Sequence, residues 1–325
     1  MVSSLIGVGA WEAAAQLPES GALLADLGLS ESEIAQVGGG ALVRHAVPAA
    51  SERELTAGLA FQVPVSPAEL VGNSKRNLLD STDPNMIAFG VISTPATLDD
   101  FAKLTLEPGA QKRAQQYLKA RPGDDLNLSA AEIAAFQKLG AGASTASVEA
   151  QVRSALVARV EAYRAQGLAG IAPYAREGGA QRSAGDELRT AAQASKKLEQ
   201  YAPAAYQLLL SYPNAKPAGT EEIFRWSQIN AHGVPTFVLT HVLLVPDGDA
   251  WLAIQRQIYA STGYNAEQAI AAFLPSKGGT VVVYGNRTST DQITGFGGGT
   301  KRSIGSKLLA SQLEDLFEKA RTQVK

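Results

Sequence analysis

Ile304, Leu308, Leu309, Leu313, Leu316, Phe317, Ala320 and Val324 recur three or four residues apart at the end of a 325-residue chain, with Lys307, Glu314, Asp315, Lys319 and Arg321 between them. That spacing puts the apolar residues on one stripe of an α-helix about 20 residues long. Such a helix needs a large apolar surface to lie against, and the chain before it supplies one. TFVLTHVLLV (236–245) and AWLAIQRQIYAS (250–261) flank Pro246-Asp247-Gly248-Asp249, a hairpin signal. AIAAFLP (269–275) and TVVVYGN (280–286) flank Ser276-Lys277-Gly278-Gly279, a second one, and EEIFRWSQI (221–229) reads as a strand before both. The strand at 236–245 is apolar on both faces, so both sides of the sheet should be covered.

Upstream, ALVRHAV (41–47) reads as a strand. In RELTAGLAFQV (53–63), Leu55, Ala57, Leu59, Phe61 and Val63 alternate with Glu54, Thr56 and Gln62, the pattern of a half-buried strand. Ser66-Pro67-Ala68-Glu69 then starts a helix by a capping box with proline at the first position, expected to run to about Leu79. NMIAFGVI (85–92) is a further strand. Two short helices, near 11–17 and 30–37, are expected to open the chain.

Residues 94–217 change character. Alanine-rich segments predict helices near 98–104, 109–119, 184–198 and 203–211, a second capping box sits at Ser129–Glu132, and Val148, Val152, Leu156, Val160 and Tyr163 mark a long amphipathic helix. GAGAS (140–144) and REGGAQRSAG (176–185) read as flexible joints, the second as a mobile one. The chain divides accordingly into an N-terminal helical segment (1–40), the first part of a sheet domain (41–93), a helical insertion (94–217) and the rest of the sheet domain with the last helix (218–325).

Composition excludes several chemistries. With no cysteine there is no thiol catalysis, disulfide or cysteine-ligated metal. Twenty-nine basic against 31 acidic residues, a net charge of −2, provide no general field for nucleic acid. No apolar run approaches the roughly 18 residues that span a bilayer, so an integral membrane segment is not expected. MVSSLIGVGAWEAAAQ ends like a signal cleavage site but lacks a positive leader and is broken by Trp11 and Glu12. A packed helix is the plainer reading, and an exported protein, periplasmic or secreted, the other.

Catalytic motifs do not emerge. TGFGGGTKRS (294–303) lacks the spacing of a phosphate loop and reads as a hinge into the last helix, capped by Thr300 or Ser303, with an anion site at the helix start as the alternative. His45, His232 and His241 have no second histidine at ligand spacing, and His241 lies between Leu239 and Leu243 as a core residue. The adjacent carboxylates Asp99–Asp100, Asp124–Asp125 and Glu221–Glu222 point different ways and read as surface. Asp247-Gly-Asp249 is a turn. Arg256 shares a strand face with Leu252, Ile254 and Ile258, so it needs a carboxylate or a ligand anion; Glu221 or Glu222 on a neighbouring strand is the structural candidate.

Two strands, a helix after the second, another strand, later hairpins and a long final helix form an order that resembles the helix-grip fold of START and polyketide-cyclase-like proteins, over residues 41–92 and 221–325. The stretches RQIYAS (256–261) and VYGNRTSTD (283–291) also look like those of an uncharacterised group of bacterial proteins. The first resemblance implies an α+β fold in which a curved antiparallel sheet wraps the last helix around a lipid-sized cavity. Arg225, Trp226, His241, Arg256, Tyr259, Tyr284 and Arg287 are then the candidate ligand-binding residues of one concave face. The expectation is a carrier of a hydrophobic or amphipathic small molecule, without cofactor or metal. A cyclase-like enzyme using His241 and Arg256, or an interaction protein using the helical insertion, are the alternatives.

Overall fold

Ten strands and ten α-helices are described among residues 16–76, 81–123, 125–231, 233–295 and 297–323 of a computed structural model. In chain order these are α1 (Ser20–Asp26), α2 (Glu31–Gly38), β1 (Val43–Arg44), β2 (Glu54–Val63), α3 (Pro67–Lys75) and β3 (Met86–Val91). A helical stretch follows: α4 (Ala110–Leu118), α5 (Ala130–Lys138), α6 (Thr145–Gln166), the two-residue strands β4 (Tyr174–Ala175) and β5 (Gln181–Arg182), α7 (Ala184–Gln193), α8 (Lys196–Tyr201) and α9 (Pro203–Ser211). The chain closes with β6 (Glu221–Ala231), β7 (Val234–Asp247), β8 (Ala250–Ala260), β9 (Ala266–Ser276), β10 (Gly279–Ser289) and α10 (Gly298–Gln323). Most of the expected opening helix, the end of the expected helix at Leu79, and Asp124, His232 and Val324 lie outside the described residues.

Eight strands form one antiparallel sheet in the order β1-β2-β10-β9-β8-β7-β6-β3, so the fold is α+β. β6 to β10 are consecutive hairpins. The two early strands add to opposite edges, β2 beside β10 and β3 beside β6. Both capping boxes form: Ser66 accepts from the Glu69 amide and Ser129 from the Glu132 amide, with each glutamate returning to the cap nitrogen.

Strand alternation sorts the interior into two cores. On one face Phe61, Val63, Val242, Leu244, Ala271, Phe273 and Tyr284 pack with Leu70 of α3 and Phe317 of α10. On the other, Phe224, Trp226, Leu239, Leu243, Ile254, Ala272 and Val283 share one core with Val160 and Tyr163 of α6 and with Leu208 of α9. Both faces of the sheet are therefore buried, except at the edge strand β3, where Ile87, Phe89 and Val91 are exposed.

Several expectations change. β2 is covered on both faces, because residues 45–50 lie over it: the position a Cβ of Gly58 would take is 2.6 Å from the His45 ring and carbonyl. α10 packs mainly on β2, with Phe317 at 5.1 Å from Phe61, while Ile304 and Leu308 at its start are 63% and 53% exposed. At that end Gly305 and Ser306 face β2 instead, Ser306 Oγ accepting from the Thr56 amide at 3.1 Å, which turns Ile304 and Leu308 away from the strand. α10 also starts at Gly298, so Thr300 and Ser303 are inside the helix and not its cap, while Gly295 and Gly297, at φ 79° and 73°, make the turn into it. The stretch 176–185, the rest of the β4–β5 ribbon and the start of α7, is held in place. Arg176 is buried and donates to Asn127 Oδ1 at 2.8 Å and Gly123 O at 3.0 Å, and it pairs with Asp291.

Candidate binding site: a polar row across the sheet

Register aligns Phe224, His241, Arg256, Gln268 and Arg287 as successive cross-strand neighbours on β6 to β10. Cross-strand partners share a face, so this row crosses an otherwise apolar surface beneath the helices. Phe224 stacks on the His241 ring at 4.4 Å and 4°. His241 Nε2 faces the Glu222 carboxylate at 3.5 Å without hydrogen-bond geometry, and the negative charge there favours the proton on Nε2, since a carboxylate only accepts. Nδ1 then accepts from the Tyr163 hydroxyl at 2.9 Å. Burial pushes His241 down to about 4 against the opposing pull of Glu222. Burial works the other way on Glu222, but His241, Lys216 and Tyr212 overcome it and hold the carboxyl at about 2.

Arg256 is fully buried. Its expected carboxylate is not there, because β6 is two strands away from β8. Glu221 pairs with Lys75, and Glu222 with Lys216, Tyr212 and His241. Arg256 Nε donates instead to Gln268 Oε1 at 3.1 Å, the Tyr163 oxygen is a polar group facing its guanidinium, and no carboxylate among the described residues meets Nη1 or Nη2. Burial lowers its proton affinity, and the Tyr163 oxygen opposes that. At the end of the row Arg287 pairs with buried Glu54 at 2.7 Å and donates to Pro48 O at 2.9 Å.

Gln268 and Arg287 line a cavity of about 580 Å³. Leu252, Ile270, Ala272 and Val283 form its floor, and residues 45–50, Leu23 of α1, Leu27 just after it and Leu198 of α8 its walls. At its mouth Asp26 accepts from Lys197 and, at 2.9 Å, from the Tyr201 hydroxyl, tying α1 to α8. The cavity between the sheet, α3 and α10 is far smaller, about 110 Å³, with Ala253, Ala269 and Ala271 facing Phe317.

The seven candidate residues do not share one face. Arg225 and Tyr284 border the small cavity beside α3 and α10. Trp226, His241, Arg256, Tyr259 and Arg287 are on the opposite face. Alternation requires it: neighbours such as Arg225 and Trp226 point to opposite sides of a strand. Several have structural partners. Arg225 donates to the carbonyls of Ser74 and Lys75 at 2.6 and 3.0 Å, where α3 ends and favours a cation. Trp226 Nε1 donates to Asp100 O at 2.6 Å, and Tyr259 lies under the Arg159 guanidinium at 4.2 Å. Glu54 and Gln268 were missed. Glu54 stood on the presumed solvent face of β2, and Gln268 becomes notable only through its register with Arg256.

Among the described residues no group of three or more His, Asp or Glu side chains could hold a metal ion, and no helix is long and apolar enough to cross a membrane. No protein-family model matches the chain, and no curated protein or solved structure is significantly similar to it.

Proposed function

We propose that this chain is a binding protein for an amphipathic small molecule, held in the 580 Å³ cavity beneath α1 and residues 45–50. The observation that carries the reading is that cavity: its volume falls within the roughly 300–1,000 Å³ of small-molecule sites, and it joins an apolar floor to one polar end. The fold is read as a helix-grip sheet with residues 94–217 inserted between β3 and β6. Support comes from the strand order, with β2 next to the last strand and β3 at the far edge, and from the long helix that follows. The space between sheet and last helix would be the expected ligand site of such a fold, but at about 110 Å³ it is too small for a lipid. The binding role therefore moves to the opposite face. A cyclase-like role for His241 and Arg256 has less support, since neither side chain borders a cavity described above.

Nile red, a neutral apolar dye, tests the site by its fluorescence. Saturable binding should be lost in Ala272→Trp, which fills the 580 Å³ cavity, and kept in Ala271→Leu, whose side chain points to the 110 Å³ one. Loss in Ala271→Leu with retention in Ala272→Trp would return the site to the face of α10.

A further inference from the structure

The row's inner end selects the ligand's head group, an inference that rests on the binding function proposed above. Arginine offers only donors, so the Gln268 amide must turn its oxygen to Arg256. That leaves Nε2 directed elsewhere, and it has no acceptor among the described residues, although Gln268 is only 1% exposed and forms part of the cavity wall. Directly behind the amide sits a buried arginine that no carboxylate answers among the described residues. Arg287, on the same wall, is already neutralised by Glu54. A buried donor without an acceptor and a buried cation without an anion are both costly, and both are relieved by the same group.

We infer that the cavity takes an amphipathic molecule with a carboxylate head, which accepts from Gln268 Nε2 while its chain lies on Leu252, Ile270 and Val283. The amide transmits the field of Arg256 to the head, and the apolar floor holds the tail.

The test is displacement of Nile red by dodecanoate and by dodecanol, which share a chain and differ in head charge. On the unaltered protein dodecanoate should displace the dye at a concentration at least about tenfold lower than dodecanol, as one charge-assisted hydrogen bond in a buried site requires. Equal potency overturns the inference and needs no variant. Gln268→Glu adds a second reading. It keeps an acceptor for Arg256, supplies the missing carboxylate, and puts negative charge where the head would lie. Dodecanoate should weaken by about tenfold or more, with dodecanol unchanged and the melting temperature held or raised. A parallel shift for both ligands would mean a merely structural role and overturns the inference. If dye binding also survives Ala272→Trp, the cavity itself is not the site, an outcome distinct from a wrong head group.

Discussion

Arg176 and Asp291 meet at 3.4 Å where the helical stretch joins the end of β10. Asp291 also holds Arg182 at 2.9 Å and Arg53 at 3.1 Å, so one carboxylate answers three guanidinium groups. Burial would raise its carboxyl, but Arg182 and Arg176 hold it below the usual aspartate range. A depressed carboxyl stabilises the fold above its ordinary pKa and stops doing so as pH falls through the lowered value. Asp291→Asn should cost about 2–3 kcal/mol in urea melts at neutral pH. It should also speed amide exchange across residues 174–182. Unchanged exchange there would show that Asp291 does not fasten the ribbon.

His241 sets a second pH window. Its folded pKa, about 4, lies below the ordinary value of 6.5. Between these values the unfolded chain binds a proton that the folded chain refuses, so stability rises with pH across the window and is lost as pH falls from 6.5 to 4. The full effect is about 3 kcal/mol. Urea melts at pH 7 and pH 4.5 measure it, and His241→Phe should flatten the dependence in that interval. A wild-type midpoint that does not move would place a protonated His241 in the folded core.

The two ends of α10 should respond differently. Phe317 is buried between Phe61 and Tyr284, with ring centroids at 5.1 and 4.9 Å, so Phe317→Ala should destabilise by about 3–5 kcal/mol. Leu308→Ser, at a position 53% exposed, should change stability by no more than about 0.5 kcal/mol. A large loss in Leu308→Ser would mean that the start of the helix is covered in solution, and measurement of the oligomeric state would then identify a second copy as the cover.

Arg256→Met tests the unanswered charge. Removing an arginine that answers a buried carboxylate costs about 3–5 kcal/mol, because an anion is left unpaired. No such anion faces Arg256 among the described residues, and methionine fills a similar volume. The change in stability should stay within about 1 kcal/mol in either direction. A loss of several kcal/mol would reveal an acidic partner and weaken the case for a carboxylate ligand.

The helix starts at Ser66–Glu69 and Ser129–Glu132 were legible in the sequence because a capping box is made within four residues. The hairpins of β7–β8 and β9–β10 were legible for the same reason, their turns being local. Site residues were harder. Treating Arg225 and Trp226 as one surface ignored alternation, a local rule that already separates them. The partners of Arg256 could not be read, because they depend on which strands become neighbours.

What the sequence by itself determined is most of the elements, from period-two runs for strands, three- and four-residue spacing for helices, and a final stripe that demands a sheet. It did not give the β4–β5 ribbon, the break between α7 and α8, or the short 3-10 turn Leu98–Phe101 in place of a helix at 98–104. Only the tertiary structure decided that β6 to β10 align Phe224, His241, Arg256, Gln268 and Arg287 in one row. It also decided that residues 45–50 and α1 roof the end of that row, and that α10 leaves Ile304 and Leu308 in solvent. The physical reason is range. Hydrogen bonds along a helix or across a tight turn join residues a few positions apart, whereas strand register and roof packing join residues as distant as Glu54 and Arg287. Such pairs are chosen by the whole core at once, and no window of the chain contains both partners.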